Sequence, residues 1–327
     1  MASLTEIGLN GIAGTAPTPI NAVAINKYLV NDKLMNILQF TADGTGDSLS
    51  NIRTSFVYYN SAGNPAVFRA LGEDYVEDNA EPLTDTVVLK PLGGSFKVDR
   101  INVIAFSNKP GSVANFVEQQ TIQKINAITN GFAKAFITGD SSTNPKSFDG
   151  LNKKITSGQI VSTPITVEFS EAGSLKTETA LNKVIGKIRP GRPNVILTTA
   201  DGAAILRSLN GYRHRGIEAI EVNSLRYDQW AGIPIVELTD DCFASSDLSA
   251  GIPVVFMLVD EVMGVRVSVP NGTTVIDVLP PTFSGGKVTT SGSCEMVSAP
   301  IFQNPFSIAK CWLKEATVTK EASSSEK

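Results

Sequence analysis

"GSVANFVEQQTIQKINAITNGFAKAFITGD", from Gly111 to Asp140, is the stretch on which the fold reading turns. Ala114, Val117, Thr121, Ile125, Ile128, Phe132 and Phe136 follow one another at spacings of three and four, which places them on one face of an α-helix. Ser112 supplies an N-cap behind Pro110, and Gly139 suits the C-terminal end. The spacing predicts a helix over 113–138, about 39 Å long at about 1.5 Å per residue. Helices in globular domains average about 11 residues, so one of this length serves as a beam between distant parts. The next stretch, "DSSTNPKSFDGL", sets Asp140, Ser142 and Asn144 at alternate positions, as in a calcium loop. Pro145 stands where that loop needs Gly and Leu151 where it needs Glu, so the calcium reading fails. The stretch also lacks the lysine of a P-loop, since no GxxxxGK[ST] pattern occurs. It reads as a solvent-facing turn at the beam's end, anchored by Phe148 and Leu151.

Before the helix the chain is β-rich. "RTSFVYYN" and "DTVVLKPL" are β-branched and aromatic, and "GGSFKVDRINVIAF" alternates apolar and polar residues. Between the first two lies "ALGEDYVEDNAEPLTD", an excursion with an acidic flank and few large apolar residues. Residues 1 to about 24 are small, polar and rich in Gly, Thr and Pro, which predicts an extended arm without its own core. Ile25 to Leu38 reads as a short amphipathic helix, and "TADGTGDSLSN" as a flexible polar stretch.

After the helix, "QIVSTPITVEF" reads as β structure, and an α/β rhythm then runs over about 176–280. "TALNKVIGKI" is helical, "NVILTT" is a strand, and Thr199 or Asp201 starts the helix "ADGAAILRSL". "IPIVEL" and "IPVVFMLVD" are strands, and "VMGVRVSVPNGTTVIDVL" reads as two strands around a turn at Pro270-Asn271-Gly272. β character returns toward the end, and "TKEASSSEK" reads as a disordered tail.

The 327 residues suffice for about two domains of ordinary size. A net charge of −4 gives no basic excess and no argument for nucleic-acid recognition. Cys242, Cys294 and Cys311 are odd in number and form no CxxC, which predicts buried reduced thiols in a protein that folds in a cytoplasm. No signal peptide or membrane-length apolar run is present. His214 is the single histidine, and the flanking Arg213 and Arg215 disfavour the imidazolium that acid–base catalysis forms. The carboxylate pairs in "GEDY" and "TDDC" sit in polar, loop-like contexts where solvated faces are expected. No zinc cluster, GxSxG, Walker or dinucleotide motif occurs. The expectation is a non-enzyme with no cofactor and no metal.

The order of these parts resembles the major capsid proteins of tailed bacteriophages with the Hong Kong 97-like fold. It runs from the arm, through the β excursion and "GGSFKVDRINVIAF", to the long helix ending in "GD…PKSFDGL". "NVILTTADGAAILRSLN", "WAGIPIVEL", "FMLVDEVMGVRV" and "SAPIFQNPFSIAKCW" complete it. The resemblance spans about residues 45–315. It implies an α+β chain: an N-terminal arm over 1–45, an extended β-hairpin E-loop over 46–94, a P-domain over 95–179 and 286–316 with its spine helix over 113–138, an A-domain over 180–285, and a disordered tail over 317–327. Ile125, Ile128, Phe132 and Phe136 would hold the spine helix in place.

The function implied is a virion head subunit, made in the host cytoplasm, that closes as hexamers and pentamers into an icosahedral shell around double-stranded DNA, without sequence-specific binding or membrane contact. Its further partners would be a separate scaffolding protein, a portal and a decoration protein. The expected subunit interface takes in Phe56, Tyr58, Tyr59, Phe68, Tyr75, Glu77, Asp78, Glu81, Asp140, Asn144, Arg207, Arg213, Arg215 and Arg226. The acidic flank of the excursion and the basic run of the α/β region are either independently solvated faces or partners across that interface. Some members crosslink an E-loop lysine to a neighbour's asparagine. No lysine occurs here between Arg53 and Leu89, so mature shells should give no covalent ladder on an SDS gel. The competing readings are an encapsulin-type compartment shell, whose opening helix the Gly/Thr/Pro arm does not match, and an α/β enzyme with an unrecognised site. A phage tail or adhesin component is a further one.

Overall fold

The computed structural model describes residues 32–48, 51–58, 68–74, 83–102, 116–189, 191–212, 219–272, 275–281 and 287–315. Two seven-stranded sheets organise them. The first contains β1 (Phe40–Ser48), β2 (Asn51–Tyr58), β3 (Leu83–Val88), β4 (Lys90–Asp99), β11 (Val265–Pro270), β12 (Asp277–Leu279) and β13 (Thr289–Phe302). The second runs β5 (Ile160–Val167), β14 (Ile308–Glu315), β10 (Ile252–Met257), β6 (Val195–Thr199), β9 (Ile233–Leu238), β8 (Leu225–Trp230) and β7 (Ala219–Val222), in that order across the sheet.

The long helix is α2 (Phe116–Thr138), about 35 Å at about 1.5 Å per residue. The expected cap at Ser112 lies outside the described residues. α2 rests on β4 and β13. Thr121, Ile125, Ile128, Phe132 and Phe136 are all buried, as the three-and-four spacing requires, and Thr129, Ala133 and Ile137 widen the buried face. Phe132 packs on Phe136 and Phe148, with ring centroids 5.8 and 5.9 Å apart. These rings share a cluster with Phe96, Val98, Cys294 and Met296 of the sheet.

The second sheet is covered on both sides, which explains its uninterrupted apolar runs. Ile196, Ile235, Val254 and Phe256 meet α4 (Glu171–Ile185) and α5 (Ala200–Tyr212) through Leu181, Val184, Leu206 and Leu209. Their neighbours Val195, Leu197, Val236, Val255 and Met257 point the other way, into the cluster that holds α2. Ser170 caps α4 by accepting from Gly173 N, and Thr199 faces Gly202 N at the start of α5. β7, β8 and β9 form a meander through two tight turns with positive φ, at Asn223-Ser224 and Ala231-Gly232. Cys294 and Cys311 are buried, and burial pushes their thiols up to about 11 and about 12.

Several expectations change. "TADGTGDSLSN" is not a loose polar stretch. Phe40 to Gly44 of β1 pair in parallel with β11, and Thr45 to Ser48 then pair with β2. Non-local partners supply the ladder that local propensity does not. At the switch, a Cβ on Gly44 would stand 2.8 Å from Leu89 Cδ2 and 3.0 Å from Val269 O. The expected pairing of 265–270 with 277–279 does not occur, because both strands pair with β13. Of the helix expected over 25–38, the described part is α1 (Lys33–Ile37), capped by the Asp32 carboxylate on Met35 N at 3.0 Å.

The expected domain limits also cut across the sheets. Position 45 falls inside β1, and residues 90–94 belong to β4, which pairs with β13 along its whole length. β5 and β14, assigned to the P-domain, lie in the sheet of the A-domain strands, while β11, assigned to the A-domain, lies in the first sheet. Hydrogen-bonding partners, invisible in local composition, decide membership.

Candidate functional site

β2 and β3 pair antiparallel from Arg53↔Val88 to Tyr58↔Leu83 and make the base of the excursion. Alternation along β2 buries Thr54 and Phe56 and exposes Ser55 and Val57. Phe56 is therefore not the exposed interface side chain expected. It is 7% exposed and lines a 280 Å³ cavity with Val87, Lys154 and Phe302. The base is fastened by a polar cluster: Arg266 donates to Thr41 Oγ1 and the Asp43 carboxylate, Ser268 donates to Asp43, and Thr54 Oγ1 lies 2.6 Å from Ser268 Oγ. Three strands, β1, β2 and β11, contribute to it.

Between β2 and β3 in the chain, residues 68–74 form a turn. Arg69 Nη1 donates to Glu73 O at 2.9 Å, Ala70 N donates to Glu73 Oε2 at 3.2 Å, and Gly72 adopts φ +95°. The turn holds two large apolar side chains wholly in solvent: Phe68 at 106% and Leu71 at 103% of reference exposure. Phe68 is where the interface reading expects an exposed residue, and Leu71 joins it. The only sequence cue to Leu71 was an apolar residue in an otherwise acidic run. The side chain of Tyr58, and Tyr59, Tyr75, Glu77, Asp78 and Glu81, lie outside the described residues.

At the end of α2, the candidate ligands hold an internal cation. The Lys153 ammonium contacts the Asp140 carboxylate, Asp149 Oδ1 at 3.1 Å and Ser142 Oγ at 2.5 Å. Asp140 also accepts from Ser142 N at 2.9 Å and Thr143 Oγ1 at 2.8 Å, and Asn144 Oδ1 accepts from Lys146 N at 3.1 Å. Lys90 Nζ, reaching from the first sheet, donates to Pro145 O at 3.0 Å. Gly139 and Gly150 permit the tight crossing, since a Cβ on either would sit about 2.5 Å from Ala135 O. Hydrogen bonds from Lys153, Ser142 and Thr143 hold the Asp140 carboxyl well below its ordinary value. Asp149 is also held low: burial opposes this, but bonds from Ser141 and Lys153 prevail. Lys153 is raised, chiefly by Asp140.

The sign of the linkage follows. The depressed carboxylates stabilise the fold above 3.8, and that contribution is lost as pH falls below 3.8 toward their folded values. The raised Lys153 contributes below 10.5 and is lost as pH rises through its folded value. The difference in melting temperature between wild type and Asp140→Asn should therefore be small but constant across neutral pH and close up below pH 3.8. A gap that varies between pH 5 and 9 would rule out this assignment.

The basic residues of the expected interface divide. Arg207 donates to Asp228 Oδ2 at 2.7 Å and lies 3.1 Å from Glu237 Oε1, so its charge is satisfied within the chain. Arg226 is exposed on β8, opposite Glu221 of β7. Arg213, His214 and Arg215 lie outside the described residues. A groove of 880 Å³ lies between the start of α5 and the end of β14, lined by Phe169, Asp201, Asp240, Leu248 and Glu315 among others. Among the described residues no group of three or more His, Cys, Asp or Glu is arranged to hold a metal, and no helix is long and apolar enough to cross a membrane.

Neither a protein-family model nor a curated protein matches this sequence. Solved structures do match over nearly the whole chain. The holo-SrpI encapsulin complex of Synechococcus elongatus PCC 7942 matches at 13% identity, over 97% of this chain and 98% of its own, with a TM-score of 0.59. The capsid of an empty GTA particle matches at 13% identity over 93% of each chain, with a TM-score of 0.55. A structure of Mycobacterium phage Bobi matches at 12% identity, over 97% of this chain and 100% of its own, with a TM-score of 0.55. Coverage of 93% or more of both chains, with the long helix lying on β4 and β13 and β2 and β3 paired as a hairpin, gives this protein the Hong Kong 97-like capsid fold.

Proposed function

We propose that this protein is the major capsid subunit of a tailed phage, self-assembling as hexamers and pentamers into a closed shell around double-stranded DNA. The observation that carries the reading is the turn over residues 68–74, between β2 and β3 in the chain, which holds Phe68 and Leu71 fully exposed on a fold used for shells. A lone subunit gains nothing from this arrangement, whereas a neighbouring subunit would bury both side chains. Weak contacts repeated around a closed shell add through avidity. Phe68, Leu71, Asn144 and Arg226 are exposed members of the proposed interface, and scaffolding, portal and decoration proteins are its proposed further partners. The role is structural rather than enzymatic.

The match to an encapsulin complex favours a second reading, a compartment shell with protein cargo. Negative-stain microscopy of the expressed protein with its scaffold should show closed shells or hexamers. Compact monomers at high concentration would refute both readings. Nuclease-protected DNA in particles from the native source supports the capsid, and a co-purifying folded enzyme in place of DNA supports the compartment.

A further inference from the structure

Beside β14, one residue along from Lys153 and from the groove-lining Leu248, three side chains from three elements meet, two of them buried and one half-buried. Lys310 of β14 is 5% exposed and Asp247 of α6 (Ser245–Ala250) is 8% exposed. Asn152 comes from α3 (Leu151–Lys154). Lys310 Nζ lies 2.6 Å from Asp247 Oδ1 and donates to Asn152 Oδ1 at 2.7 Å. Asn152 Nδ2 donates to Asp247 Oδ2 at 2.9 Å. The Trp312 ring, 5.3 Å from Nζ, walls one side.

Each atom has a use in amide exchange. Nζ rests on the carbonyl oxygen of the Asn152 amide, one bond from its Cγ. The Asp247 carboxylate touches the attacking nitrogen with one oxygen and the leaving nitrogen with the other, so it can take a proton from the first and deliver one to the second. We propose that Lys310 and Asn152 join in an intrachain isopeptide bond, with Asp247 as the proton shuttle.

The step balances. Asp247 removes a proton from the Lys310 ammonium, and the free amine attacks Cγ of Asn152. The Nζ–Cγ bond forms, the Cγ–Nδ2 bond breaks, and protons passed through Asp247 let the amide nitrogen leave as ammonia, which takes up the remaining proton as ammonium. Asp247 ends as it began, and no oxidant or further reactant is needed. The surroundings favour the amine. Burial holds the Lys310 ammonium below the ordinary lysine value, against the opposing pull of Asp247. Fixing the groups in contact supplies the effective concentration that makes an otherwise very slow amide exchange accessible. Stability alone does not explain the set, because apolar residues of the same volume would serve about as well as a buried ion pair.

The bond would tie α3, at the foot of the spine helix, to β14 within one chain, so it is invisible on an SDS gel and independent of what the shell encloses. The test is intact-mass spectrometry of the purified full chain after prolonged incubation in its folded state, followed by tryptic mapping. Wild type should be lighter than its sequence by one ammonia. It should also yield a branched peptide joining residues 147–153 to residues 288–314, because trypsin does not cut after an acylated Lys310. Asp247→Asn and Asn152→Ala should both keep the full mass. A wild type of full mass with linear peptides 147–153 and 288–310 overturns the proposal, as does loss of ammonia without the branched peptide. Loss of ammonia persisting in Asp247→Asn overturns the role of Asp247.

Discussion

Replacing Phe68 and Leu71 together with aspartate should leave a folded subunit that no longer closes into shells. Both side chains are wholly exposed in the subunit, so the replacement removes no internal contact, and stability should stay within about 0.5 kcal/mol of wild type. Assembly behaves differently. Burying a Phe or Leu against a partner is worth about 1.5–3 kcal/mol, so each intersubunit contact loses roughly 3–6 kcal/mol. At about 1.4 kcal/mol per factor of ten, this weakens a single contact by roughly a hundred- to ten-thousand-fold. The loss recurs at every subunit of a closed shell. Sedimentation velocity and negative-stain microscopy measure the assembly, and far-UV circular dichroism the fold. Shells forming at wild-type concentrations would remove these two residues from the interface.

Phe132→Ala should be the most damaging single change in the spine helix. Phe132 is fully buried and links Phe136 and Phe148 to the sheet. Truncating such a ring costs about 3–5 kcal/mol, a large part of the roughly 5–15 kcal/mol that holds a typical domain together. The urea midpoint should fall sharply with little change in slope. Lys134→Ala, two residues along on the exposed side, should stay within about 0.5 kcal/mol. Equal effects of the two would mean that the helix does not lie on β4 and β13 as described.

Much of the fold could be read from local signals. The spacing of Thr121, Ile125, Ile128, Phe132 and Phe136 located the buried face of α2, and the apolar runs at Val195–Thr199 and Ile252–Met257 marked strands covered on both sides. Misreadings arose where a distant partner decides. The Gly- and Asp-rich β1 is a strand because β11 and β2 flank it. Arg207 is neutralised by Asp228 and Glu237, which lie in other strands. Lys153 supplies the cation for an apparent calcium loop from the helix that follows it. The set of Asn152, Asp247 and Lys310 has no sequence signature, since its members are 95 and 158 positions apart in its two amide hydrogen bonds.

The order in which the strands are synthesised has a consequence of its own. β13 pairs with β4, β11 and β12, and β14 lies between β5 and β10, yet both are made after every one of these partners. While residues 289–315 are still inside the ribosome, the first sheet is in separate pieces and the second lacks the strand that joins β5 to β10. A nascent chain can collapse but cannot complete either layer. Both layers therefore close only once β13 and β14 have emerged, and any contact between subunits that needs complete sheets must form after them.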